Sequence, residues 1–148
     1  MNCTIRPAKA GDLDGLVPLF DAYRAFFAGG TPTGSREFLA ARLDAGDGTF
    51  LLALDGDDAL GFLTLYPLFS SWYATRIWFL SDLYVRDDVR KGGIGRRLVE
   101  AAKAFASEGG ARSIMVEIPH REPHLVKFYE DLLFMRDRDF NLHRFYVV

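Results

Sequence analysis

Three glycines and four basic residues lie within residues 89–98, directly before a segment with helical periodicity. They are Gly92, Gly93, Gly95, Arg90, Lys91, Arg96 and Arg97. Glycine allows a backbone to approach a ligand closely, and the first N–H groups of a helix have no partners within that helix. Together with the helix dipole, these groups favour an anion such as a phosphate or pyrophosphate. The alternative is a glycine-rich surface turn whose charges are simply solvated.

Two familiar phosphate-binding patterns do not fit this spacing. A dinucleotide fingerprint GxGxxG that begins at Gly93 needs a third glycine where Leu98 stands, and no GxxxxGK[ST] loop occurs in the chain. The loop nevertheless lies between an apolar strand and a periodic helix, where α/β sheets commonly bind ligands. This position favours an anion site over a plain turn.

Hydrophobic periodicity defines the elements that must position the loop. Residues 76–85 are apolar on both alternating faces, which is typical of a central strand covered on both sides. The helix after the loop presents one apolar face, made of Ile94, Leu98, Ala101, Ala102 and Phe105. Further strands are predicted at residues 3–8, 49–54, 59–69, 113–118 and 142–148, and further helices at residues 12–27, 35–46 and 123–134. Helices and strands alternate only late in the chain, so we predict a mixed α/β sheet in one layered domain, residues 1–148.

Composition argues against several classes of protein. A net charge of −2 and a pI near 5.9 do not suit a nucleic-acid binder, which needs a broad basic face. A single cysteine, Cys3, forms no internal disulfide, and no apolar run approaches the ~18 residues that span a membrane. The first residues lack the apolar core of a signal peptide, so we expect a cytoplasmic protein. The histidines, at positions 120, 124 and 143, match no compact metal-ligand pattern, so we expect no metal.

The loop resembles a known family motif. Arg90, Gly93 and Gly95 match the pattern [R/Q]-x-x-G-x-[G/A] of the GNAT N-acetyltransferase superfamily. Residues 80–106 resemble the fourth strand, the loop and the following helix of that family, and residues 127–134, "KFYEDLLF", resemble its terminal helix. Within the superfamily, residues 19–27 and 65–85 are similar to histone and polyamine acetyltransferases and to spermidine/spermine acetyltransferases.

The resemblance implies both a fold and a co-substrate. The expected fold is a mixed, mostly antiparallel central sheet with helices on both faces, whose fourth and fifth strands splay apart to admit acetyl-coenzyme A. The pantetheine arm is then expected to pair with Leu83, Tyr84 and Val85. The diphosphate is expected on the loop, with the residues Arg90, Lys91, Gly92, Gly93, Ile94, Gly95 and Arg96.

The same resemblance assigns catalytic roles. Tyr129, in the motif "FYE", matches the general acid of the family, and the backbone N–H of Leu83 or Tyr84 is the candidate oxyanion donor. Asp82 draws attention by itself, because a carboxylate inside an apolar strand is costly unless it is paired, hydrogen-bonded or reached by water. It could orient a water that accepts the amine proton or attract a cationic amine, or it could be purely structural. Glu117, at the end of the next strand, is the second candidate for the base route.

Several features bear on the acceptor and partners. In polyamine acetyltransferases the residue before the aspartate that corresponds to Asp82 is often Glu. This chain has Ser81 at that position, which weakens the prediction of a polyamine acceptor. Leu133 stands where the family often has glycine. The expected acceptor is a small primary amine; a protein lysine, a protein N-terminus or a non-catalytic acyl-coenzyme A binding module are the alternatives. Acidic residues of the early helices, Asp21 and Glu37, would suit a cationic amine.

By analogy with the family we expect a homodimer, with residues 142–148 at its interface.

Overall fold

The computed structural model describes residues 2–147. These form two compact units, of which the first ends at Glu117 and the second begins at Ile118. The first unit contains strands β1 (Cys3–Pro7), β2 (Thr49–Asp55), β3 (Asp58–Ser70), β4 (Thr75–Val85) and β5 (Ile114–Val116), and helices α1 (Leu13–Ala28), α2 (Ser35–Ala45) and α3 (Ile94–Glu108). The second unit contains helix α4 (His124–Asp131). The expectation of a single domain over residues 1–148 stays a prediction.

The five strands form one sheet in the order β1-β2-β3-β4-β5. All neighbouring pairs are antiparallel except β4 and β5, which are parallel. Helices α1 and α2 pack on one face, where Leu16 and Leu39 join the buried side chains of Phe50 and Phe62. The intervening residues Leu51 and Leu63 are also buried and point to the opposite face, because successive side chains of a strand alternate. Helix α3, which packs against β2, β3 and β4, covers that face. The expected mixed sheet with helices on both faces is confirmed.

The predicted separation of the fourth and fifth strands is also confirmed, and its origin is visible in the register. Thr64 of β3 pairs with Asp82, whereas the next residue, Leu65, pairs with Leu80. Ser81 is therefore an extra residue in β4, a β-bulge that bends and twists the strand. Strand β5 pairs with β4 only from Trp78 to Leu80. Beyond the bulge, β4 has no further partner strand on that side among the described residues.

One predicted strand is wrong. Residues 142–147 contain no strand, and residue 148 lies outside the described part of the chain. Phe145 is 87% exposed and Val147 is 90% exposed. Their aromatic and β-branched side chains favour a strand only where a neighbouring strand supplies hydrogen bonds and packing, and residues 142–147 pair with no strand of the described chain. The helix predicted over residues 123–134 is shorter than expected, since α4 ends at Asp131.

Candidate active site

The glycine loop leads into an uncapped helix start. Gly93 precedes α3 with φ +82°, in the left-handed region that favours glycine. The N–H of Arg97 donates to the carbonyl of Gly93, which leaves the N–H groups of Ile94, Gly95 and Arg96 without a partner among the described residues. No side chain caps this end, and its first turn contains no acidic residue. The geometry is that of an anion site.

Arg90 ties the loop to the end of β4. Its Nε donates to the carbonyl oxygen of Val85 at 2.8 Å, and its Nη1 lies 2.6 Å from the carboxylate of Asp87. Its guanidinium lies 5.3 Å from the ring centre of Tyr84. By contrast, Lys91 and Arg96 are exposed and form no ion pair within residues 2–147, so their positive charge remains available beside the helix start.

The backbone of β4 beyond the bulge offers a free edge. Before the bulge, the N–H of Trp78 donates to Ser113 on the β5 side; after it, the N–H of Arg86 donates to Leu60 on the β3 side. Because the direction of N–H groups alternates along a strand, the N–H groups of Leu83 and Val85 point away from β3. Of the two proposed oxyanion donors, Leu83 is therefore the one directed to the open side, while the N–H of Tyr84 points to β3.

A cavity of about 500 Å³ lies within the first unit, between α1, the start of α2 and β4. Its walls are largely aromatic, and two of its residues carry opposite charges. The lining residues are Phe20, Tyr23, Arg24, Thr33, Gly34, Phe38, Tyr66, Ser81 and Asp82. A concave, mostly apolar pocket with a few convergent polar groups is typical of a small-molecule site.

Asp82 lies next to the bulge, with its carboxylate at this cavity. The Ser81 hydroxyl donates to its Oδ1 at 3.2 Å. Burial raises the pKa of Asp82, and the hydroxyl groups of Tyr23, Thr64 and Ser81 partly oppose that shift. No described residue forms an ion pair with this carboxylate, so it is held by hydroxyl groups and open to the cavity. Burial and the nearby charge of Asp82 also raise the pKa of Tyr66 to about 12.

The second carboxylate, Glu117, follows the point where β4 and β5 separate. Strand β5 ends at Val116, one residue earlier. Glu117 is exposed and does not line the cavity. The two acids predicted from the early helices, Asp21 and Glu37, do not line it either.

Tyr129 belongs to the second unit, on α4. It is 5% exposed and packs between Phe128 and Phe134, with ring centres 5.0 and 5.3 Å away. Burial raises its pKa, which keeps the phenol protonated at neutral pH. Leu133, at the position where the family often has glycine, has φ +71° and is 82% exposed. A left-handed backbone explains why glycine suits that position.

The sequence interpretation missed Arg24, a cation on the cavity wall. It lies within an apolar helical run, "FDAYRAFF", and a charge inside such a run is the signal that could have found it. The pocket therefore carries one acidic side chain, Asp82, and one basic side chain, Arg24.

Between residues 2 and 147, no group of three His, Cys, Asp or Glu side chains is arranged to hold a metal ion. No helix in the same range has the length and apolar character needed to cross a membrane.

A splayed sheet, an uncapped glycine-loop helix and a pocket occur together in the first unit, and comparison with known proteins gives the class to which this arrangement belongs. Residues 16–134 match the model of the acetyltransferase (GNAT) family, and the chain belongs to that family. It is 36% identical over 137 residues to the uncharacterized N-acetyltransferase YhfO of Bacillus subtilis (strain 168), covering 92% of each chain.

Two further proteins are similar to this chain. The crystal structure of a probable acetyltransferase superposes with a TM-score of 0.93 at 34% identity and covers 98% of both chains. The D-amino-acid N-acetyltransferase HPA3 of Saccharomyces cerevisiae is 28% identical over 89 residues, 59% of this chain and 55% of the yeast protein. The protein is therefore an enzyme of the N-acetyltransferase class, whose family uses acetyl-coenzyme A as co-substrate. The finer likeness to histone and polyamine acetyltransferases stays a prediction.

Proposed function

We propose that this enzyme transfers the acetyl group of acetyl-coenzyme A to a small primary amine, directly within a ternary complex. One observation carries the proposal: the free edge of β4 beyond the Ser81 bulge borders a pocket that contains the half-buried carboxylate of Asp82. A strand edge suits an extended chain such as pantetheine, and a half-buried carboxylate suits an amine.

The described residues offer groups suited to two parts of the coenzyme, its pantetheine arm and its diphosphate. The outward backbone groups of Leu83 and Val85, with Tyr84 between them, supply hydrogen bonds along β4. The unpartnered N–H groups at the start of α3 supply donors for a diphosphate, and the flanking cations add positive potential. We assign this diphosphate site to Arg90, Lys91, Gly92, Gly93, Ile94, Gly95 and Arg96. The bound coenzyme supplies an activated thioester.

Asp82 is the proposed base, directly or through a water molecule. An amine enters as its ammonium form and must lose a proton before its nitrogen can attack a carbonyl carbon. The raised pKa of Asp82 makes it a better proton acceptor than an ordinary aspartate once it is ionised. Glu117, exposed beside the strand separation, is the alternative base.

Two groups complete the proposed chemistry. The N–H of Leu83 would donate to the thioester oxygen as negative charge develops there. Tyr129 would return a proton to the departing sulfur, and its raised pKa keeps that proton in place at neutral pH. The balance is one ammonium ion and one thioester giving one amide, one thiol and one proton, with a C–N bond formed and a C–S bond broken.

The pocket supports a small acceptor over a protein. Its volume of about 500 Å³ and its aromatic walls suit a compact molecule. The yeast relative is a D-amino-acid N-acetyltransferase, a small-molecule enzyme by name. A protein lysine or N-terminus and a non-catalytic binding module are the alternatives.

The homodimer is proposed from the resemblance to the family. The cytoplasmic location and the expected lack of nucleic-acid, membrane and metal partners are proposed from sequence and composition.

The test is release of coenzyme A from acetyl-coenzyme A with a panel of amino acids, polyamines, aminoglycosides and lysine peptides. We expect a small amine to be acetylated by the wild type. The Tyr129→Phe variant should lose about 10²-fold or more in kcat, because proton transfer contributes on that order. It should keep its affinity for acetyl-coenzyme A in calorimetry, since only the hydroxyl group is removed.

Three outcomes would redirect the proposal. Preference for a lysine peptide would favour a protein acceptor. Tight coenzyme binding without transfer to any amine would favour the binding module. Unchanged kcat in Tyr129→Phe would remove Tyr129 from the acid role and leave it as a packed aromatic residue.

A further inference from the structure

A basic and an acidic side chain line the same cavity and do not form an ion pair with each other. Asp82 reaches it from β4 and Arg24 reaches it from α1. Within residues 2–147, neither side chain forms an ion pair with the other or with any other residue. A pocket with separate positive and negative groups complements a ligand that carries both charges.

The Arg24 side chain is held in place by the protein. Its Nη1 donates to the carbonyl oxygen of Thr33 at 2.8 Å and to the hydroxyl oxygen of Ser35 at 2.7 Å. Ser35 is itself buried, at 3% exposure. These bonds occupy one nitrogen, and neither Nε nor Nη2 donates to a residue of the described chain. A fixed guanidinium with free donors is suited to a carboxylate.

Most of the remaining wall is aromatic. Phe20, Tyr23, Phe38 and Tyr66 contribute aromatic rings, and Phe20 stacks on Phe38 with ring centres 5.9 Å apart. A side chain that extends from the carbon bearing the two charged groups of a ligand therefore meets aromatic surface. Such surface favours an apolar side chain.

We propose that the acceptor is an amino acid with an apolar side chain, whose carboxylate is bound by Arg24 while its amine lies at Asp82. This inference rests on the acetyl transfer proposed above. It makes Arg24 a specificity-determining residue. It also disfavours polyamines, because a second cationic group would meet the Arg24 guanidinium instead of an acid.

The test compares kcat/KM for phenylalanine and leucine, each as both enantiomers, with their amides and their decarboxylated amines. The amino acid has a carboxylate, the amide has a neutral amide group in its place, and the decarboxylated amine has neither. For the wild type we expect at least one amino acid to exceed its amide and amine by about tenfold or more, the scale of a charge-assisted hydrogen bond. In Arg24→Gln this ratio should fall to near one, and Arg24→Lys should restore part of it.

Two controls separate specificity from folding. Arg36→Gln alters an exposed arginine of α2 that pairs with Asp14 outside the cavity lining, and it should keep the wild-type ratio. Calorimetry with acetyl-coenzyme A checks that Arg24→Gln still binds the coenzyme as the wild type does.

Binding of the N-acetyl amino acids, the expected products, is a readout independent of transfer. Binding that weakens about tenfold in Arg24→Gln supports the carboxylate site even where no amine is acetylated, in which case the proposed enzyme activity alone fails. Equal kcat/KM for amino acid, amide and amine would overturn the inference while acetyl transfer stands. Absence of both transfer to amino acids and binding of their N-acetyl forms would also overturn it.

Discussion

At the scale of single residues, Asp82 shows how an unfavourable position can become useful. Its carboxylate lies in an otherwise apolar strand, and burial raises its pKa. The Ser81 hydroxyl donates to it, and Ser81 is also the bulged residue that frees this end of β4. Asp82 is thus the proposed base, and its neighbour Ser81 produces the separation of β4 from β5 beside that base. Its carboxylate has hydroxyl partners and forms no ion pair within residues 2–147, and it lines the cavity.

Replacement of Asp82 by Asn should lower kcat about 10²-fold, because the amide keeps the shape but cannot accept a proton. In the wild type, kcat/KM should rise as the pH increases through the pKa of Asp82, since only the ionised form is a base. That acidic limb should lie above the pKa of 3.8 of an ordinary aspartate, because burial raises it. Asp82→Asn should lack the limb in a pH–rate profile.

The matched control for this profile is Glu117→Gln, which removes the exposed carboxylate. We expect it to retain the acidic limb and most of kcat. Loss of the limb in Glu117→Gln, with retention in Asp82→Asn, would assign the base to Glu117 and leave Asp82 a structural role.

At the scale of elements, the decisive feature is the junction between the loop and α3. Both ends of this helix carry a glycine with positive φ: Gly93 at the start with +82°, and Gly110 beyond the end with +73°. A Cβ atom at either position would meet no atom within 4 Å. The two glycines therefore share the strain that a side chain would bring, and only Gly93 borders the proposed diphosphate site.

Gly93→Ala and Gly110→Ala should each lower the free energy of unfolding by about 1–2 kcal/mol, the cost of a side chain in the left-handed region. Only Gly93→Ala should weaken acetyl-coenzyme A binding, by about tenfold or more, because relief of strain moves the N–H groups at the start of α3. Thermal unfolding and calorimetry measure the two effects. Equal coenzyme affinity in both variants would argue that the loop does not hold the diphosphate.

At the scale of the first unit, the sheet is built to leave a gap. Strand β5 pairs with only three residues of β4, Trp78–Leu80, and the bulge follows immediately. The free strand edge has unsatisfied backbone groups, which a bound extended chain can satisfy. A ligand that fills this edge is expected to stabilise the folded state, since the unfolded chain has no such site.

Acetyl-coenzyme A at about a hundredfold excess over its Kd should stabilise the protein by about 2.7 kcal/mol. For a chain of 148 residues this corresponds to a rise in Tm of roughly 5–10 °C. Acetyl-pantetheine, which lacks the diphosphate, should give a smaller shift at the same concentration in a thermal-unfolding assay. Equal shifts from the two compounds would place the binding energy on β4 alone, and no shift from either would contradict the site.

Much of the architecture could be predicted because its signals are local. The apolar strand that contains Asp82, the glycine loop and the periodic face of α3 depend on residues close together in the chain, and the mixed sheet followed from their order. The family motif added the expected strand separation. Residues 142–147 show the limit of such patterns, since apolar and aromatic residues form a strand only where a partner strand is present.

The sequence alone thus determined the fold class, the candidate anion loop and the carboxylate at position 82. The tertiary structure decided where the bulge falls, because register depends on the pairing of Thr64 and Leu65 with residues far away in the chain. It also decided that Arg24, and neither Asp21 nor Glu37, lines the pocket. The direction of a helical side chain relative to a cavity depends on how the whole helix packs, and no local pattern contains that information.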